Sequence, residues 1–297
     1  MINDSKDIRP VLIIYPSFYS LLILNYLLIK KDINFRGIIL STAHIKMRGF
    51  SFSFPESSYF LLRKTGLFYA TYLLFTVKFS WLFIYLWCIS SFLKGKKLSL
   101  KTFTRVIKEF GIPVYKSENI NDELSVGFMN DVNANMIVSI YNNQILKYST
   151  CKKFEYGAIG IHNSYLPDFG GLDAAFDGLF HLVKETGTTV HFVDKGIDTG
   201  DIIMQEKIPV YPTDTVFSLN IRQWLKGAQL ISPVLGQFRE SKVNAQKQDL
   251  DKIRYPYRSF PDKKRVKEFH NKHKKCILFK EILFPNEDIQ KIFGDHQ

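Results

Sequence analysis

The chain has 297 residues, 46% of them hydrophobic and 23% charged, a globular balance that argues against disorder. Forty lysines and arginines against 28 aspartates and glutamates give a formal charge of +12. That excess favours acidic partners such as nucleic acid, anionic lipid or phosphorylated substrates, without choosing among them.

The first ten residues, MINDSKDIRP, lack the apolar core of a signal peptide, and a cytoplasmic location is expected. Cys88, Cys151 and Cys276 lie far apart with no metal-ligand spacing, which fits a reducing compartment. Residues 9–17 contain VLIIY, a strand-type run, and residues 18–31 have helical apolar spacing. Residues 35–41, FRGIILS, form a second strand candidate. Residues 68–92 carry Lys78 as their one charge, and that length suits a transmembrane helix, a membrane-surface helix or a helix buried against a sheet. Arg63, Lys64, Lys94, Lys96 and Lys97 flank it, as at a membrane interface. A spanning helix would cut a domain whose first strand precedes it, so a peripheral or buried position is expected.

Further along, residues 98–110 predict an amphipathic helix ending at Gly111, 113–115 a short strand and 122–132 a weak helix. Residues 136–141 (MIVSIY) and 158–162 (AIGIH) are buried-strand runs, whereas 188–193 and 201–210 alternate as half-exposed antiparallel strands do. Residues 215–238 predict a long helix. The alternation implies an α/β fold with an open, mostly parallel sheet, whose ligands sit beyond the carboxyl ends of the strands. The first strand ends in YPSFYS, so a dinucleotide fingerprint is missing, and no Walker loop occurs elsewhere. From about residue 246 the chain turns polar, with Pro256, Pro261 and Pro285 opposing any long element. Residues 245–297 read as a small basic module, and the DKKRVKEFHNKHKK run within it reads equally as a solvated helix face.

Two turns carry candidate chemistry. In IGIHNSYLPDFGG, residues 159–171, His162 ends a strand and precedes Ser164, a proline turn and the Gly170–Gly171 pair. A histidine moves protons near neutral pH; by itself it is as readily structural. In VDKGIDTGDII, residues 193–203, Asp194, Asp198 and Asp201 crowd around Gly196 and Gly200. Asp-Thr-Gly is the aspartic-protease tripeptide, but those enzymes need a second copy, and a calcium loop needs more oxygens and a closing glutamate. An Asx-type turn is the plain alternative. A carboxylate set against an imidazole would fix its tautomer and raise its basicity.

IHNSYLPDFGG followed by GTTVHFVDKGIDTGDII resembles the folate-dependent formyltransferase family, which includes methionyl-tRNA, glycinamide ribonucleotide and sugar N-formyltransferases. The matching positions are His162, Ser164, Leu166, Pro167, Gly171, Gly187, Thr189, His191, Asp194, Gly196, Asp198 and Gly200. VSIYNNQIL (138–146), GIPVYKSENIND (111–122) and YPYRSFPDKKRVKEF (255–269) are similar to flanking pieces. The resemblance implies a Rossmann-like formyltransferase domain over 1–244, with an apolar helical insertion at 60–97. It implies His162 and Asp198 as the catalytic pair. Asn143, Gln144, Ile145 and Leu146, with Asp194, Lys195, Gly196 and Ile197, would hold N10-formyltetrahydrofolate, and Ser164, Gly170 and Gly171 would face the substrate. No metal is implied.

The acceptor it implies is a small-molecule amine, with a nucleotide-linked amino sugar favoured over nucleic acid. An anionic membrane surface is a further candidate partner, and a homodimer is compatible with the family. One position departs from the pattern. Two residues before His162 the family has an asparagine, whose amide would donate to the developing oxyanion; this chain has Gly160. A binding or regulatory relative with weak catalysis is therefore the alternative reading.

Overall fold

The computed structural model describes residues 6–31, 33–42, 46–47, 50–51 and 54–294. Strand β1 (Pro10–Ile14) leads into α1 (Phe18–Lys30), β2 (Gly37–Ser41) and a small hairpin of β3 (Lys46–Met47) and β4 (Phe50–Ser51). Three helices follow, α2 (Phe54–Thr65), α3 (Leu67–Lys78) and α4 (Ser80–Leu93), and then α5 (Phe103–Phe110), β5 (Val114–Ser117), α6 (Glu123–Asp131) and β6 (Met136–Ile140). The second half comprises α7 (Tyr148–Cys151), β7 (Ala158–His162), α8 (Ala174–Phe180), β8 (Glu185–Phe192), β9 (Ile202–Pro209) and α9 (Val216–Arg239). After it come α10 (Lys263–Asn271), α11 (Phe279–Leu283) and α12 (Glu287–Phe293).

The main sheet has seven strands in the order β5-β2-β1-β6-β7-β8-β9. The first five run parallel, while β7–β8 and β8–β9 pair antiparallel. β1, β2, β6 and β7 read as continuous apolar runs because both their faces are covered. Leu12, Ile14, Ile38, Val138 and Ile140 face a large core beneath α1 and α9. Val11, Ile13, Ile39 and Ile137 face a smaller one beneath α6 and α7. The strand order reverses between β1 and β6, the place where such sheets leave a crevice.

The apolar stretch 68–92 is two helices, not one. α3 and α4 meet at a 77° bend, and no single helix among the described residues is long and apolar enough to cross a membrane. Their inner face is core: Tyr69, Tyr72, Phe83 and Trp87 are buried, and Phe83 and Phe18 stack on Phe217 of α9. The amphipathic helix expected from residue 98 begins later, at Phe103, and ends as read, with Gly111 as a left-handed cap. Residues after 245 hold only short helices. Val266, Phe269, Ile289 and Phe293 belong to the same core as β1 and α9, and Ser99 N donates to Phe293 O at 2.8 Å. Part of the basic run is tied down as well: Arg265 pairs with Asp177, and Lys272 Nζ donates to Phe180 O and lies 4.0 Å above the Phe180 ring.

Candidate active site

Alternation along β7 decides which side chains meet. Ile159 and Ile161 enter the large core, so Gly160 and His162 project to the opposite face. On the neighbouring strand His191 pairs with Gly160, and it lies on that face too. The 193–201 loop then folds back over the sheet and brings in Asp198. Its Oδ2 lies 3.6 Å from His162 Nδ1 and its Oδ1 lies 3.9 Å from His191 Nε2. Both histidines are buried and the aspartate is partly exposed.

The other ring nitrogens are committed. His162 Nε2 is 2.8 Å from Phe169 O, and His191 Nδ1 is 2.8 Å from Phe192 O. A carbonyl only accepts, so each of these nitrogens carries the proton and donates. The nitrogens facing Asp198 are then lone pairs while the rings are neutral. A carboxylate opposite two lone pairs is repulsive, so one proton placed among the three groups relieves the cluster. Burial pushes His191 below the usual histidine range, against the pull of the Asp198 charge, and this favours its neutral form. The geometry is that of a proton store able to take a proton from an amine and return it elsewhere.

The loop carrying Asp198 is held from several sides. Asp198 itself has a φ of 57°, in the left-handed region. Gly196 N and Thr199 Oγ1 donate to Asp194, closing an Asx turn. Gln248 Nε2 donates to both Asp198 O and Gly200 O at 2.8 Å. Gly171 N donates to Asp198 Oδ2 at 2.8 Å, and Gly170 packs beside the same carboxylate. Gly171 has a φ of 100°, and a Cβ there would overlap Arg258 O and the Tyr257 ring. Gly171→Ala is therefore expected to destabilise the protein by about 2 kcal/mol or more, read as a lowered urea midpoint. An unchanged midpoint would mean that this strand-like contact is not needed.

Ser164, expected beside the substrate, is fully buried, and its hydroxyl donates to Asp168 O at 2.7 Å. In this structure it holds the turn. Asn163 also points away from the histidines, donating to Asn220 at 2.8 Å. The 142–146 loop follows β6 and is pinned by Gln144 Nε2 donating to Ser41 at 2.7 Å and Asn121 Nδ2 donating to Ile145 O at 2.9 Å. Asn143 accepts from Ser41 at 2.6 Å, Ile145 is 65% exposed and Leu146 is buried. Lys195, Gly196 and Ile197 are exposed at the tip of the other loop. Next to that loop is a slot of about 480 Å³, with Cys151, Phe154, Ala158 and Val193 among its apolar walls and Asp194 and Asp201 at its edge. His162, Asp198 and the 142–146 loop lie outside this slot.

Sequence reasoning passed over a second polar cluster. Asp173, two residues beyond Gly171, accepts from Tyr69 Oη, and Asn220 Nδ2 donates to it at 3.2 Å. Tyr72 accepts from Asn220 at 3.3 Å and shares a 2.7 Å hydrogen bond with Tyr19. These residues are too far apart in the chain for spacing to reveal them. Burial pushes the Asp173 carboxyl up to about 6. A carboxyl raised above its unfolded value penalises the folded state once ionised, so the penalty grows from about pH 4 to about pH 6 and is full above. Asp173→Asn removes it. The stability of that variant relative to wild type is expected to rise by up to about 3 kcal/mol across that window, measured by urea unfolding at several pH values. A pH-independent difference would contradict this origin.

Residues 93–235 match the family model described as formyl transferase. The chain is 36% identical over 150 residues to the methionyl-tRNA formyltransferase of Methylacidiphilum infernorum, covering 50% of this chain and 47% of that protein. It is 28% identical over 156 residues to that of Fusobacterium nucleatum, covering 52% and 50%. The chain thus spans about half the length of the curated relatives it matches. The N-formyltransferase of Helicobacter canadensis, solved with folinic acid and dTDP-3-aminofucose, aligns with a TM-score of 0.55 at 18% identity, over 95% of this chain and 85% of that one. That likeness speaks for the fold. The matched stretch encloses His162, His191 and Asp198, and over it the chain is similar to the formyl transferase family.

Proposed function

We propose that the protein transfers a formyl group from N10-formyltetrahydrofolate to a primary amine, and that the amine is carried by a nucleotide-linked sugar. The carrying observation is the Asp198 carboxylate set 3.6 Å from His162 and 3.9 Å from His191. The folate supplies the formyl group; the 193–201 and 142–146 loops would hold its ring. As the amine nitrogen bonds to the formyl carbon it must lose a proton, and the folate nitrogen that leaves must gain one. His162 and Asp198 stand where one proton can be taken up and handed on. Gly170 and Gly171 keep the approach to Asp198 free of side chains.

Support for the sugar acceptor comes from extent. The sugar-nucleotide complex aligns with 95% of this chain, the transfer-RNA enzymes with 50–52% of it. Incubation with N10-formyltetrahydrofolate and a panel of nucleotide-linked amino sugars, with methionyl-tRNA as competitor, tests this by mass spectrometry of the products. A formylated sugar is the expected outcome; formylation of the tRNA alone would replace the acceptor. Gly160 favours a second reading, a folate-binding relative with weak or lost catalysis. Bound folate without turnover on any amine would select it.

A further inference from the structure

α3 and α4 present two faces, and only the inner one is used by the fold. On the outer face Trp81, Tyr85 and Ile89 follow one another at four-residue spacing, each half exposed or more, and Phe92 and Leu93 continue the stripe at 78% exposure. Residues four apart on a helix share a face, so this is one continuous apolar ridge and not scattered side chains. At the start of α3, Leu67 and Phe68 are 62% and 69% exposed. Patches of this kind mark interaction sites.

The segment that carries the ridge has charge of one sign. Between Glu56 and Glu109 the sequence contains nine lysines and arginines and no carboxylate. The ridge ends at Lys94, Lys96 and Lys97, all exposed. There a cleft of about 430 Å³ opens between α4 and α12, lined by Ser90, Ser91, Lys94, Lys96, Gln290 and Lys291, with Glu287 the one carboxylate. Ammonium groups at the end of an apolar ridge match the boundary of a bilayer, where acyl chains meet phosphate headgroups. The aromatic composition of the ridge matches the same depth. α3 and α4 are bent by 77° from one another, and Tyr69, Tyr72, Phe83 and Trp87 on their inner side are already buried against the fold.

We infer that the outer face of α3 and α4 docks the protein on an anionic lipid bilayer, with Trp81, Tyr85, Ile89, Phe92 and Leu93 entering the interface and the Lys94–Lys97 end contacting lipid phosphates. The docking is independent of the acceptor assigned above.

The test is co-sedimentation of the full-length protein with phosphatidylcholine vesicles, alone or mixed with phosphatidylglycerol. Binding is expected to the mixed vesicles and to weaken as salt is raised. Joint substitution Lys94→Ser, Lys96→Ser and Lys97→Ser should lower the partition constant on the order of a hundredfold. Trp81→Ser with Ile89→Ser and Phe92→Ser should abolish binding while leaving the thermal midpoint in place, because these side chains lie outside the core. Leu124→Ser, an equally exposed apolar position on α6, should change nothing. Failure to bind phosphatidylglycerol vesicles overturns the inference, as does equal binding by all variants. A dimer in size-exclusion chromatography that the Trp81 triple variant dissociates, without vesicle binding, overturns it in favour of a second copy covering the ridge.

Discussion

Asp198→Asn is expected to lower kcat for formyl transfer by about three decades with little change in folding stability. The substitution keeps the shape of the side chain, and its amide oxygen can still accept from Gly171 N, as Oδ2 does now at 2.8 Å. What disappears is the charge that can hold a proton against His162 Nδ1 at 3.6 Å. The asparagine amide would donate to one of the two facing ring nitrogens and fix it as an acceptor, so the cluster could no longer exchange a proton. Folate binding, followed by fluorescence, should be nearly unchanged, because the substitution keeps the shape of the side chain and its contact with Gly171 N. A loss smaller than tenfold would show that Asp198 positions the loop and does not handle the proton. His162→Gln should fall as far, since the cluster works as a unit and losses of its members do not add.

Gly160→Asn is expected to raise kcat by one to two decades. During attack, negative charge builds on the formyl oxygen, and one well-placed donor is worth on the order of two to three decades in rate. The neighbours at Gly160 do not supply such a donor. His191 Nε2 is the nearest polar atom, and with Nδ1 donating to Phe192 O it is a lone pair while the ring is neutral. An asparagine amide at 160 would project onto the face that already holds His162 and His191. The gain is reduced by crowding, because a Cβ at 160 lies 3.2 Å from His191 Nε2 and 3.4 Å from Cε1. The ring must yield by a few tenths of an ångström, at about 1 kcal/mol of stability. Steady-state kinetics and a urea titration on the same preparation separate the two effects. If wild type already turns over rapidly and the variant slows it, the weak-catalysis reading falls, and His191 is shown to need the room that glycine leaves.

Much of the scaffold is legible in the residues themselves. β7 lies at the residues its apolar run marks out, and α9 starts after Thr215, whose hydroxyl caps it. The parallel strands are readable because burial on both faces makes them uniformly apolar, and the antiparallel pair because one face alternates. The pairing of His162 with Asp198 came from the family resemblance, and the loop's fold-back accounts for it: two glycines, an Asx turn and Gln248 return the chain across the sheet. Boundaries set by packing were harder. Composition leaves 68–92 open among three environments, since a helix buried on one side and a helix in a membrane interface need the same apolar residues.

By itself, then, the sequence determined the α/β sheet, the strand-end histidine and the aspartate loop, all of which rest on local periodicity and on residues close together in the chain. Only the tertiary structure decided that His191 stands opposite Gly160 through strand register, that Ser164 faces inward, and that Asp173 joins Tyr69 of α3, 104 residues away. It also decided that α4 buries one face and leaves Trp81, Tyr85, Ile89, Phe92 and Leu93 exposed on the other, next to Lys94, Lys96 and Lys97. Each of these depends on which distant segments pack together, and side-chain spacing along one segment carries no record of its partner.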